Sequence, residues 1–163
     1  MRTLVLGLGN ELAGDDAVGV LVARAVRGDL QDVAHVEESS AAGMALIEVF
    51  AGYERAVVVD SIVTGRNPPG TISEMGLGEV GRVVAPSLHQ AGLPELAAVA
   101  ERLGLGFPSQ TVVLAVEVVD PYALGARLSE PVAAAVPELI RRVREQVLRW
   151  EGAPCTTTTP SRR

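Results

Sequence analysis

The stretch "TLVLGLGNELAGDDAVGVLVARAV" (Thr3–Val26) decides the fold. It reads as an apolar strand over Thr3–Leu8, a glycine-containing turn, and a helix from Asp16 to Val26. A strand that is apolar at nearly every position is buried on both faces, which is the mark of a parallel sheet covered by helices. Two further runs have this character, "RAVVVDSI" (Arg55–Ile62) and "QTVVLAVEV" (Gln110–Val118). Weaker strand signals fall at Asp32–Glu37 and Thr71–Glu74, and helical periodicity predicts helices over Ala42–Phe50, Gln90–Leu103 and Glu130–Trp150. Between the third and fourth strands, "GRNPPG" (Gly65–Gly70) is a turn too short for a crossover helix, so the fourth strand is expected to run antiparallel at an edge. The alternation of strands and helices predicts a three-layer α/β/α fold around a mostly parallel, doubly wound, five-stranded sheet.

The chain has 163 residues, 48% of them hydrophobic, enough for one domain with a sizeable core, assigned to 1–150. The polar end "EGAPCTTTTPSRR" (151–163) has too little apolar content to pack and is expected to be a disordered tail. The last helix should place Val132, Val136, Leu139, Val143, Val147 and Trp150 on one buried face, with Ser129 as N-cap and Pro131 in the first turn. Pro137 is expected to kink it or split off its first turn, and Arg141, Arg142, Arg144 and Arg149 form a solvated face. A net charge of −6, without a basic stripe elsewhere, argues against a nucleic-acid partner. The single cysteine, Cys155, permits no internal disulfide and no multi-cysteine zinc site. No apolar run approaches the roughly 20 residues needed to span a bilayer, and the chain enters its first strand without a cleavage pattern, so neither a membrane span nor a leader is expected and the chain is placed in the cytoplasm.

The opening turn could hold a phosphate or a cation. A dinucleotide turn needs a third glycine where this chain has Leu12, and it needs a bare helix N-terminus where this chain has Asp15 and Asp16. Asp15 is read as a simple cap. In a doubly wound sheet, ligands collect at the carboxyl ends of the strands where the winding reverses. There the first strand delivers Asn10, Asp15 and Asp16, the third ends at Asp60 and Ser61, and "APSLHQAG" places His89 before a helix. Two carboxylates and one imidazole suit a borderline transition metal with open positions. No motif supports Ser61 or Ser87 as a nucleophile, so metal-assisted hydrolysis fits better, with Asp16 or Asp60 as base.

At these residues the chain resembles the [NiFe]-hydrogenase maturation endopeptidases. The resemblance is carried by "LVLGLGNELAGDDAVGV", "VVVDSI", "SLHQ" and "VEVVDP…LSEPVAAAVPELI", and runs from about Met1 to Val147. It implies a three-layer α/β/α protease that removes a short C-terminal extension from the hydrogenase large-subunit precursor after nickel insertion. The nickel would arrive in the precursor and serve as the recognition element. The family's metal-binding set falls on Asp16, Asp60 and His89, with Asp16 and Asp60 also the catalytic candidates. Two positions depart from the family pattern. Asp16 stands where many members carry Glu, and "EESSAAG" (Glu37–Gly43) replaces a Gly-Thr-x-Gly-like turn. Asn10, Ser40 and Gly43 are the candidate substrate-binding residues. The alternatives are a nucleotide-binding α/β oxidoreductase and a non-catalytic metal-binding assembly chaperone.

Overall fold

A computed structural model describes residues 1–80, 92–125 and 127–152. Among these, five strands form one sheet: β1 (Thr3–Leu8), β2 (His35–Ser39), β3 (Arg55–Ile62), β4 (Ile72–Gly76) and β5 (Gln110–Glu117). Their spatial order is β2-β1-β3-β5-β4. The first four in that order run parallel, and β4 pairs antiparallel with β5 at the edge, as the short "GRNPPG" connection requires. The helices are α1 (Val18–Leu30), α2 (Leu46–Phe50), α3 (Leu77–Val80), α4 (Leu93–Arg102) and α5 (Glu130–Glu151).

The sheet is covered on both faces because its central strands are apolar on both. Val5, Val57, Val59, Leu114 and Val116 pack with α1 and α5, while Leu4, Leu6, Leu8, Ala56, Val58 and Val113 pack with α2 and α4. Each fully buried side chain of this size contributes about 1.5–3 kcal/mol. The contact of α1 with the sheet is unusually close, because Gly7 on β1 faces Gly19 on α1. A Cβ at Gly7 would lie 2.2 Å from the Gly19 carbonyl oxygen, so no larger residue fits there without parting the layers.

Several boundaries differ from the sequence reading. The first helix begins as a 3-10 turn over Gly14–Ala17 and becomes α-helical only at Val18. It then continues past Val26 to Leu30, whose full burial holds the last turn in place, and β2 consequently starts at His35 instead of Asp32. The helix expected over Ala42–Phe50 likewise opens as a 3-10 turn, Gly43–Ala45, before α2. The short helix α3 has no periodic pattern long enough to be legible in sequence. Helix α5 is unbroken through Pro137, which neither ends it nor splits off its first turn. On its outer face, Arg141 and Arg142 both donate to Glu138 and hold that carboxyl down to about 2. These pairs are solvent-exposed, so their contribution is small, present at neutral pH and lost as the pH falls toward that value.

Glu117, at the end of β5, is buried and accepts hydrogen bonds from Thr64 N, Thr64 Oγ1 and Gly65 N at 2.7, 2.6 and 2.8 Å. A buried carboxylate so paired fixes the connection between β3 and β4. The predicted tail beyond Gly152, Ser87, His89 and the start of the predicted third helix at Gln90 lie outside the described residues.

Candidate functional site

The carboxyl ends of β1, β2, β3 and β5 share one edge of the sheet, and the order reverses between β1 and β3. At that point the chain leaves β1 through Gly9, whose φ of 143° is a conformation that L side chains rarely adopt. A Cβ at Gly9 would stand 1.8 Å from the Asp16 carbonyl oxygen, so the turn closes directly onto the first turn of the helix. Asn10 is exposed. Its side-chain Oδ1 accepts from Leu12 N at 3.0 Å and its carbonyl oxygen from Ala13 N, which forms the tight turn.

Asp15 and Asp16 are both buried, and they do different things. Asp15 is not a simple helix cap. Its two carboxylate oxygens accept from Ser129 N at 2.6 Å and Ser129 Oγ at 2.8 Å, which clasps the α1 entry to the start of α5. Ser129 occupies the N-cap position of α5, but its hydroxyl is spent on Asp15 and makes no bond to the first turn of its own helix. Beside this clasp, Ala13 and Gly125 form an isolated parallel bridge. Asp15→Ala is expected to destabilise the protein by about 1–3 kcal/mol, since it removes two hydrogen bonds to a buried carboxylate. Cleavage by the folded fraction should fall far less than in Asp16→Ala. A thermal melt beside a cleavage assay separates the two effects.

Asp16 turns toward β3. Its Oδ2 accepts from Asn10 N at 2.9 Å and its Oδ1 from Ser61 Oγ at 2.7 Å. Ser61 N in turn donates to Asp60 Oδ1 at 2.8 Å. Asp60 and Ser61 are both buried, and as neighbours on a strand they point to opposite faces of the sheet. Ser61 takes the α1 face with Val57 and Val59, and Asp60 takes the face of Ala56 and Val58. One residue thus reaches both carboxylates, by its hydroxyl and by its main-chain N–H. Sequence reasoning set Ser61 aside because it looked only for a nucleophile. The available signal was strand alternation, which puts the residue after Asp60 on the same face as Asp16.

Of the predicted substrate-binding positions, Asn10 adjoins Asp16 through its backbone N–H. Ser40 and Gly43 lie on the loop after β2, which is tied to the opening turn by a bond from Gly9 N to the Ser39 carbonyl oxygen. Gly43 has φ 59°, and no atom lies within 4 Å of a Cβ placed there. Among the described residues, no group of three or more His, Cys, Asp or Glu side chains is arranged to hold a metal ion. Asp16 and Asp60 offer two carboxylates, and the third candidate, His89, is outside those residues.

The turn is unsuited to a pyrophosphate. Two buried aspartates occupy the helix N-terminus where the anion would sit. Glu38, on β2, is paired with Arg24 and Arg27 at 2.6 and 2.7 Å. The Arg24 hydrogen bond, assisted by Arg27, holds the Glu38 carboxyl below its ordinary range.

Residues 23–146 match the family model described as hydrogenase maturation protease. The chain belongs to that family. It is 30% identical over 152 residues to the hydrogenase 2 maturation protease of Escherichia coli (strain K12), a match covering 89% of this chain and 92% of the relative. The hydrogenase maturating endopeptidase HybD from Escherichia coli superposes with a TM-score of 0.78 at 29% identity, over 93% of this chain and 94% of that one. The fold is shared as well with the [NiFe] hydrogenase maturation protease HybD from Thermococcus kodakarensis. That likeness has a TM-score of 0.69 at 23% identity, over 90% of this chain and 99% of the other. The protein is therefore an endopeptidase of hydrogenase maturation, an enzyme and not an oxidoreductase or a non-catalytic chaperone.

Proposed function

We propose that this maturation protease removes a C-terminal extension from the large-subunit precursor of a [NiFe]-hydrogenase, in the cytoplasm, once nickel has been inserted. The observation that carries the reading is the linkage of Asp16 to Asp60 through Ser61 at the reversal point of the sheet, in a chain of this family. Among the described residues no helix is long and apolar enough to cross a membrane.

Nickel enters this reading as part of the substrate. The donor set fits such an ion: Asp16 and Asp60 supply carboxylate oxygens, and His89 would complete the set with an imidazole. A metal in this position polarises a scissile carbonyl or acidifies a water. The residues of this chain have the remaining tasks. Asp16 and Asp60 orient the metal-bearing end of the precursor, and one of them accepts the proton of the attacking water. Asn10, Ser40 and Gly43 border the path of the extension, where the open space beside Gly43 leaves room for a peptide.

The test is to incubate the purified protein with the large-subunit precursor of the same organism, with and without inserted nickel, and to weigh the products by mass spectrometry. Loss of a C-terminal peptide from the nickel-loaded precursor alone is the expected result. Equal cleavage of the nickel-free precursor would overturn the role of nickel. An unchanged mass in both arms would overturn the substrate. His89→Ala is expected to abolish cleavage in the same assay.

A further inference from the structure

We propose that Ser61 is a positioning residue of this protease, holding the Asp16 carboxylate in register with Asp60 through one hydroxyl and one main-chain N–H. The inference rests on the reading of Asp16 and Asp60 as the catalytic pair. Asp16 comes from the entry of α1 and Asp60 from the far side of β3, so the two arrive on opposite faces of the sheet and need something to fix their relation. Ser61 is 1% exposed and makes both links, at 2.7 Å to Asp16 Oδ1 and 2.8 Å to Asp60 Oδ1. The other bond on Asp16, from Asn10 N at 2.9 Å, anchors Oδ2, so the carboxylate is gripped at both oxygens and cannot rotate about its Cβ–Cγ bond without breaking one bond.

The grip bears on the length of the side chain. An aspartate reaches one methylene less far than a glutamate, so its useful position depends more on the group that aims it. The Ser61 hydroxyl donates its proton to Asp16 Oδ1. This assigns Ser61 the aiming of a carboxylate and not attack on the substrate. The main-chain half of the device survives any substitution at position 61, whereas the hydroxyl half requires Ser or Thr.

The experiment measures cleavage of the nickel-loaded large-subunit precursor by full-length wild type, Ser61→Ala, Ser61→Thr, Ser61→Cys, Asp16→Asn and Asp60→Asn, with a melting temperature for each. Loss of an outer-shell partner of this kind typically lowers activity by about 10- to 100-fold. That fall is expected for Ser61→Ala in kcat, with KM within about twofold of wild type. Ser61→Thr should recover most of the rate, because it restores the hydroxyl. Ser61→Cys fills the same space with a weak donor and should follow Ala, which keeps the comparison decisive if Thr crowds the buried site and fails to fold. Wild-type kcat in both Ser61→Ala and Ser61→Cys, with Asp16→Asn inactive, would overturn the positioning role and leave the catalytic pair standing. Total inactivity of folded Ser61→Ala and Ser61→Thr alike would overturn it in favour of a direct chemical role. Full activity of Asp16→Asn and Asp60→Asn would instead remove the reading of the pair, and the proposal with it.

Discussion

Asp60→Asn is expected to lower the rate of precursor cleavage by at least about a hundredfold while leaving the fold in place. The side chain is completely buried, and asparagine has the same shape. Its amide oxygen can still accept from Ser61 N, so the hydrogen bond that fixes the end of β3 is kept. Only the negative charge goes. A carboxylate that serves as general base or binds a metal depends on that charge, and general base catalysis alone is worth about 10²- to 10⁴-fold. Stability should move little, because removing a buried charge relieves a desolvation cost even as it weakens the pairing. The same logic applies to Asp16→Asn, whose bonds from Asn10 N and Ser61 Oγ present two donors to the side chain. There the amide oxygen can keep the bond from Asn10 N while the amide nitrogen donates to Ser61 Oγ, so the hydroxyl bond is reversed and stability again moves little. The check is initial rates on the nickel-loaded precursor beside thermal melts. Retention of more than about a third of the wild-type rate by folded Asp60→Asn would take Asp60 out of the machinery.

Gly19→Ala is expected to destabilise the protein by about 3 kcal/mol or more, or to prevent folding. The sign is opposite to the ordinary one, since replacing a helical glycine by alanine normally gains about 1 kcal/mol. At Gly19 the added Cβ would meet the carbonyl oxygens of Leu8 and Val59 at 2.2 and 2.3 Å. Both are backbone atoms of central strands and cannot swing aside. Helix α1 would have to lift off β1 and β3, opening the packing of Val5, Val18, Val22 and Val59. Clashes and cavities of this kind account for the largest single-residue losses. Gly28 supplies the control on the same helix. It is exposed, and nothing lies within 4 Å of a Cβ there, so Gly28→Ala should be neutral or gain up to about 1 kcal/mol. Denaturant titration of the two variants measures the contrast. Equal stability of the two would show that the close approach of α1 to the sheet does not constrain the fold.

The frame of the protein was legible because its signals are local. The limits of β1 and β3 follow from unbroken apolar runs, and the antiparallel edge follows from the length of one turn. The boundaries that slipped are those where packing overrides local pattern. Leu30 extends α1 because its side chain is pulled into the core, and β2 gives up its first residues to the longer helix. Pro137 is carried inside α5, whose apolar face, Val132, Leu139, Val143 and Val147, stays buried on both sides of it.

By itself, then, the sequence determined a doubly wound sheet and placed Asp16 and Asp60 at the edge where its winding reverses. Its local signals did not give the hydrogen-bond partners within that edge. Asp15 and Asp16 are adjacent, equal in charge and both at a helix entrance, so any local rule treats them alike. The tertiary structure separates them, because Ser129, 114 positions away, comes to one, and Ser61, 45 positions away, comes to the other. Glu117 is likewise assigned by Thr64 and Gly65, 53 and 52 positions earlier in the chain. A buried carboxylate takes its role from whichever donors the fold delivers to its oxygens, and the donors that tell Asp15 from Asp16 come from positions distant in the chain.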